Sequence, residues 1–255
     1  MCRFDRQDPT PCRAGFTIVE MLVVIAIVGM LMSLLLVGLR LMTRTASANA
    51  CLSNLRELSN AHVVYANLYK ECFVDVGLPH GGGGEPKRSF VTTLRDFGVD
   101  ETALHSPLDR SPHWAPEFGE GVPVALPGGE PLYRRTSYGM NTYLSRTYSP
   151  ALITGAGPPA DRLARVGRPT EVVCFLLMAE RGSYASSDHP HVENWGAVSN
   201  PAALAATQCS INAIDRRKPS GDSRSNWSFV DGHVATRRFD EVFTSSTENK
   251  FNPGL

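Results

Sequence analysis

Residues 15–39 read GFTIVEMLVVIAIVGMLMSLLLVGL, and the fold turns on what this stretch does. Between Phe16 and Leu39 only Thr17, Glu20 and Ser33 are clearly polar. A helix over these residues is about 36 Å long, enough to cross a hydrocarbon core of roughly 30 Å. A cleaved secretory signal has an apolar core of about 7–15 residues followed by a small-x-small site. This run is longer, and it continues into Arg40-Leu41-Met42-Thr43-Arg44, so that reading fails. A plain membrane anchor fits the length but leaves Glu20 unexplained. A carboxylate inside a span is costly unless paired, so Glu20 marks a function.

The composition sets bounds on the rest. The chain has 255 residues, 42% of them apolar, enough for one sizeable core. Its 25 basic and 25 acidic side chains cancel, and no basic block is interleaved with aromatics, so nucleic acid is not an expected partner.

Arg13-Ala14-Gly15 precedes the apolar run, so a basic leader ends in Gly. Gly15-Phe16-Thr17-Ile18-Val19-Glu20 resembles the processing site of type IV prepilins and type II secretion pseudopilins. The resemblance implies that a prepilin peptidase cuts between Gly15 and Phe16, methylates Phe16, and leaves Glu20 as the hallmark acid at mature position five. Chemistry agrees with that role. The cut creates an α-amino cation on Phe16, and Glu20 of one subunit can pair with that terminus on a neighbour. The resemblance further implies a homo- or hetero-oligomer of pilin-like subunits. It places the chain as a single-pass protein of the bacterial inner membrane, with a periplasmic C-terminal domain or a surface fibre after assembly. Arg3, Arg6 and Arg13 before the span, against Arg40 and Arg44 after it, support that orientation weakly.

The helix is expected to continue past the membrane. Ala48, Cys51, Leu52, Leu55, Leu58, His62, Tyr65, Leu68, Tyr69 and Cys72 recur at steps of mostly three and four, one face of an α-helix. No Pro or Gly interrupts residues 39–76. Helix from about Phe16 to Cys72 would be roughly 85 Å long. His62 falls on the apolar seam and is expected as a packed, hydrogen-bonded core residue. Residues 77–86, with four consecutive glycines, end the helix in a flexible loop. The expected organisation is a leader at 1–15, a long helix within 16–76 with 16–39 in the membrane, and a globular domain over 77–255. The expected fold class is α+β and pilin-like: a long N-terminal helix packed on a C-terminal antiparallel sheet with long loops.

Strand candidates are Arg135–Leu144, Glu171–Ala179, Asn226–Val230 and His233–Phe239, with a short helix within 87–104. Asp231-Gly232 between the last two strands signals a hairpin with a type I′ turn. In that register Phe229 faces Val234 and Trp227 faces Thr236, and their side should meet the helix. Asn226–Val234, Ser137–Asn141 and Cys51–Leu55 resemble segments of a prepilin-like group named for an H-x9-DG signature. The signature histidine is absent: that position is Gly221.

With residues 1–15 removed, Cys51, Cys72, Cys174 and Cys209 remain. Cys51 and Cys72 lie roughly 31 Å apart on one helix and cannot pair. A Cys174–Cys209 bridge, a bridge from Cys72 to either, and four free thiols stay open. Asp188-His189-Pro190-His191-Val192-Glu193 is the most metal-like cluster, with His189, His191 and Glu193 as candidate ligands of a divalent metal and no fourth ligand evident. No other cofactor is called for. No G-x-S-x-G occurs, and Asp231-Gly232-His233 is accounted for by a turn, so no enzymatic activity is expected. Two rivals to a pilin-like subunit remain. One is a single-span anchored periplasmic domain that binds a ligand or metal without polymerising. The other is a membrane-tethered hydrolase using His189 and His191.

Overall fold

The computed structural model describes residues 15–80, 83–125 and 130–254. The expected leader, apart from Gly15, lies outside these residues, as do Cys2, Cys12, Gly81 and Gly82. The chain divides into two units, Met1–Thr43 and Arg44–Leu255. Helix α1 runs Ile18–Leu68. In the first unit, Ile18–Leu36 is long and apolar enough to cross a membrane, and none of it is buried by the protein. In the second unit, the same helix becomes amphipathic. Cys51, Leu55, Leu58, Ala61 and His62 are buried, while Arg56, Glu57 and Asn60 are exposed. This is the face that the spacing predicts, as far as half-buried Tyr65; Leu68 is exposed.

Helix α1 ends at Leu68, short of the expected residue 72 and well short of 76. Lys70 and Glu71 adopt φ of 57° and 61°, the left-handed region that turns the chain out of the helix. Neither residue is Gly or Asn, so no local signal announces the stop. The cause is tertiary. Phe73, Val74 and Val76 are buried in the core, and Phe73 N–H bonds Asp161 O at 2.8 Å. Burial of three large apolar side chains outweighs the cost of two left-handed residues, about 1–2 kcal/mol each.

Short elements follow. Helix α2 (Phe90–Thr93) is N-capped by Ser89, whose Oγ accepts from Val91 N–H. Helix α3 is Pro150–Thr154 and α4 is Pro201–Gln208. Strand β1 (Tyr138–Met140) pairs antiparallel with β2 (Phe175–Leu177). Strand β3 (Arg224–Ser228) pairs antiparallel with β4 (Val234–Arg238). The two ribbons are joined at Val173 and Phe229, and Cys174 N–H donates to Ser228 O at 2.7 Å. Strand β1 is much shorter than Arg135–Leu144 because Asn141 turns the chain. Asn141 Oδ1 caps residues 142–144, and its Nδ2 donates to Val173 O and Phe251 O at 2.8 and 2.7 Å. Gly139 leaves room in β1 for the buried Met178 side chain, which a Cβ there would displace.

Side chains pack into two cores. One joins Cys51, Leu55 and Leu58 of α1 to Tyr138, Met140, Phe175 and Leu177. The other is aromatic, with Trp195, Trp227, Phe229, Phe239, Phe243 and Phe251. Successive strand residues face opposite sides, so Leu176 belongs to the second core while its neighbours belong to the first.

The Asp231-Gly232 hairpin forms, with a different turn. Gly232 has φ of 92°, but Asp231 is not among the described residues of positive φ, so a type I′ turn does not form. Gly232 N–H donates to Phe229 O and Phe229 N–H to His233 O, which closes a three-residue loop ending in a left-handed Gly. The register shifts by one: Val234 pairs with Ser228 and Thr236 with Asn226. Trp227 and Phe229 also do not meet the helix; they fill the aromatic core. Their neighbours meet α1 instead. Ser228 Oγ lies 2.7 Å from Ser59 Oγ, and Asn226 Nδ2 donates to Ala48 O at 2.9 Å.

All four described cysteines are free thiols. The Cys174–Cys209 bridge is not formed, because Cys174 sits in the first core and Cys209 in the second. Burial pushes both thiols well above their ordinary range.

Candidate functional site

Two places carry the residues singled out by the sequence. The first is the start of α1. Residues 15–17 are non-helical, Gly15 is exposed, and Phe16 is 74% exposed, so the Gly15–Phe16 bond is open to an enzyme. Thr17 is the N-cap. Glu20 N–H donates to Thr17 Oγ1 at 3.2 Å, and Thr17 N–H donates to Glu20 Oε2 at 2.8 Å. This is a reciprocal capping box of the T-x-x-E kind, reinforced by the Thr17 hydroxyl on the same oxygen at 2.8 Å. Within a single chain, Glu20 therefore begins the helix.

The second place is a cluster of imidazoles. His80 follows the buried segment Phe73–Leu78, and His189 and His191 follow the turn after β2. His80 Nε2 lies 3.2 Å from His189 Nε2 and 3.1 Å from His191 Nε2. Among the described residues, these three form a group whose ligand atoms all lie within 4.8 Å of one another. Glu193 is not among them. It lies behind His191, with Oε1 2.7 Å from Nδ1. Asp188 does the same for His189, with Oδ1 2.8 Å from Nδ1. Asp188 is fully buried and accepts three further hydrogen bonds, from Gly77 N–H, Leu78 N–H and Ser89 Oγ. One carboxylate thus orients His189 and anchors the strand of chain that carries His80. Burial and the neighbouring His189 and His191 lower the His80 pKa to about 4.

Residues 11–36 match the prokaryotic N-terminal methylation motif. The chain carries a prepilin-type N-terminal motif. No curated protein and no solved structure matches the chain. The motif spans the basic leader end, the Gly15–Phe16 bond, Glu20 and the apolar helix, so the prepilin-like reading of this segment stands. The architecture agrees, with an apolar N-terminal helix and small antiparallel sheets in an α+β pilin-like fold.

The other singled-out residues belong to the second unit. Asp231 and Gly232 form the hairpin loop, and Asp231 Oδ1 lies 2.6 Å from His233 Nδ1. His233 stacks on Phe229 and does not join the imidazole cluster. Gly221 stands beside Asp240: a Cβ there would lie 3.5 Å from its Oδ2. His80 is the functional candidate that sequence reasoning missed. Its one local signal was a lone histidine beside a glycine run.

Proposed function

We propose that the chain is the precursor of a structural, non-catalytic subunit of a pilin-like assembly, of the type IV pilus or type II secretion pseudopilus kind. The observation that carries this reading is the N-terminal methylation motif at residues 11–36. A prepilin peptidase removes residues 1–15 and methylates Phe16. The segment Ile18–Leu36 holds the subunit in the bacterial inner membrane, with the second unit in the periplasm. The exposed, non-helical Gly15–Phe16 bond favours the cut.

Glu20 then has two tasks. It caps its own helix through Thr17, and in the assembly it pairs with the Phe16 ammonium of a neighbour. Both Thr17 donors reach Oε2, and a carboxylate offers a second oxygen for the neighbour. The tasks separate by substitution. Glu20→Gln keeps an oxygen for the cap and loses the charge; Thr17→Ala loses the cap's hydroxyl and keeps the charge. We expect Glu20→Gln to remain processed but to lower cross-linked oligomer in membranes by at least about tenfold, since a lost buried ion pair exceeds about 1.4 kcal/mol. Thr17→Ala should stay within about twofold, a capping effect of less than about 1 kcal/mol at the assembly level. Equal losses, or none from Glu20→Gln, would contradict the pairing. The latter result would favour the second reading, an anchored metal-binding domain that does not polymerise, for which the imidazole cluster speaks.

A further inference from the structure

The three imidazoles present a hydrogen-bonding problem that protons do not solve. The Nδ1 atoms of His189 and His191 face the carboxylates of Asp188 and Glu193. A carboxylate oxygen only accepts, so each of these Nδ1 atoms carries the ring proton, and each neutral ring presents Nε2 as a lone pair. Both lone pairs are directed at one atom, His80 Nε2. That atom carries one proton at most. With the proton, a single N–H is shared between two acceptors; without it, three lone pairs face one another. Supplying a further proton would bring a net charge into a partly buried cluster. A cation at the centre satisfies all three lone pairs together.

We propose that His80, His189 and His191 bind one divalent transition-metal ion, zinc by the chemistry of the donors. Zinc–imidazole bonds of about 2.0–2.1 Å in a tetrahedron place the nitrogens about 3.3–3.4 Å apart. The two separations from His80, 3.1 and 3.2 Å, are close to that edge, and all three ligand atoms lie within 4.8 Å of one another, so a small movement of the rings would close the third edge on the ion. Three imidazoles with no carboxylate or carbonyl ligand exclude a calcium or magnesium site by donor type. Asp188 and Glu193 serve as the outer carboxylates that fix each ring's tautomer and orientation. Tyr184 stacks on His80 and Tyr148 on His189, with centroids 4.6 and 5.7 Å apart, which holds the rings in place. A cavity of about 200 Å³, lined by Leu78, Pro79, Gly84 and Tyr148 beside the histidines, leaves room for water or a small anion at the fourth position. The ion would tie the segment bearing His80 to the 188–193 segment. The site owes nothing to processing at Gly15, so either conclusion can fail without the other.

The test uses the full chain in detergent, stripped with chelator and titrated with zinc chloride alone. Expected are one zinc per chain after dialysis and submicromolar affinity. A hundredfold excess over the dissociation constant should raise Tm by about 5–10 °C. His80→Ala should weaken binding by at least about 100-fold while the metal-free protein keeps its circular dichroism, and Glu193→Gln should weaken it by about 10–100-fold. Sub-stoichiometric zinc on the native chain would overturn the proposal, as would native affinity in His80→Ala. If His80→Ala fails to fold, Glu193→Gln decides: native affinity there contradicts the site.

Discussion

Arg134→Met is expected to destabilise the chain by about 3–5 kcal/mol, because it leaves a buried carboxylate without its cation. Arg134 and Asp109 each have side chains only 1% exposed, and Arg134 Nε lies 2.7 Å from Asp109 Oδ2. The guanidinium has three other acceptors, the carbonyls of Met178, Ala179 and Ala185. It thereby links the 109 loop to the end of β2 and to the turn that leads into Asp188. Methionine fills a similar volume but satisfies none of these oxygens. Urea unfolding followed by tryptophan fluorescence measures the loss. The double variant Arg134→Met, Asp109→Leu should recover part of it, since removing both charges costs less than stranding one. It should not recover all, because Ser137 Oγ also donates to Asp109. A loss below about 1 kcal/mol in the single variant would show that the pair is not buried as described.

The second large effect is a pH dependence owed to His62. Neither ring nitrogen has a hydrogen-bond partner, contrary to the expected bonded histidine; the ring lies against Phe73 and Phe175. Burial lowers its pKa from 6.5 to about 4. A histidine depressed in the folded state is protonated first in the unfolded chain. Stability is therefore full above the unfolded pKa and is lost as pH falls through the window from 6.5 towards about 4. The loss attributable to this group reaches about 2–3 kcal/mol by about pH 4.5. His62→Leu, of similar volume, should flatten the stability difference between about pH 7.5 and pH 4.5 by that amount. An unchanged difference would contradict a neutral, unpartnered His62.

These two residues show where sequence reading stops. Arg134 precedes a β-prone run and gives no sign of burial, because its partner is 25 residues away in the chain. The face of α1 from Cys51 to His62 was legible, since a helix writes its own period into the sequence. The Gly15–Glu20 pattern was legible for the same local reason. The Asp231-Gly232 hairpin was located correctly, but its loop conformation shifted the register by one, and the side that Trp227 and Phe229 take depends on tertiary packing that the hairpin does not encode. The end of α1 was illegible because it depends on burial of Phe73–Val76 and not on a breaker. Two of the three imidazoles were readable: His189 and His191 are two residues apart in sequence, whereas His80 is 109 residues from His189. Glu193 was read as a ligand because spacing cannot distinguish a carboxylate that touches a metal from one that orients the histidine beside it.

The central claim is the prepilin-type N-terminus, and the direct measurement is the intact mass and N-terminal residue of the membrane-extracted chain, expressed with its cognate prepilin peptidase. A chain beginning at N-methyl-Phe16 is the predicted result. A chain that still begins at Met1, while the same peptidase cleaves a control substrate, would contradict it.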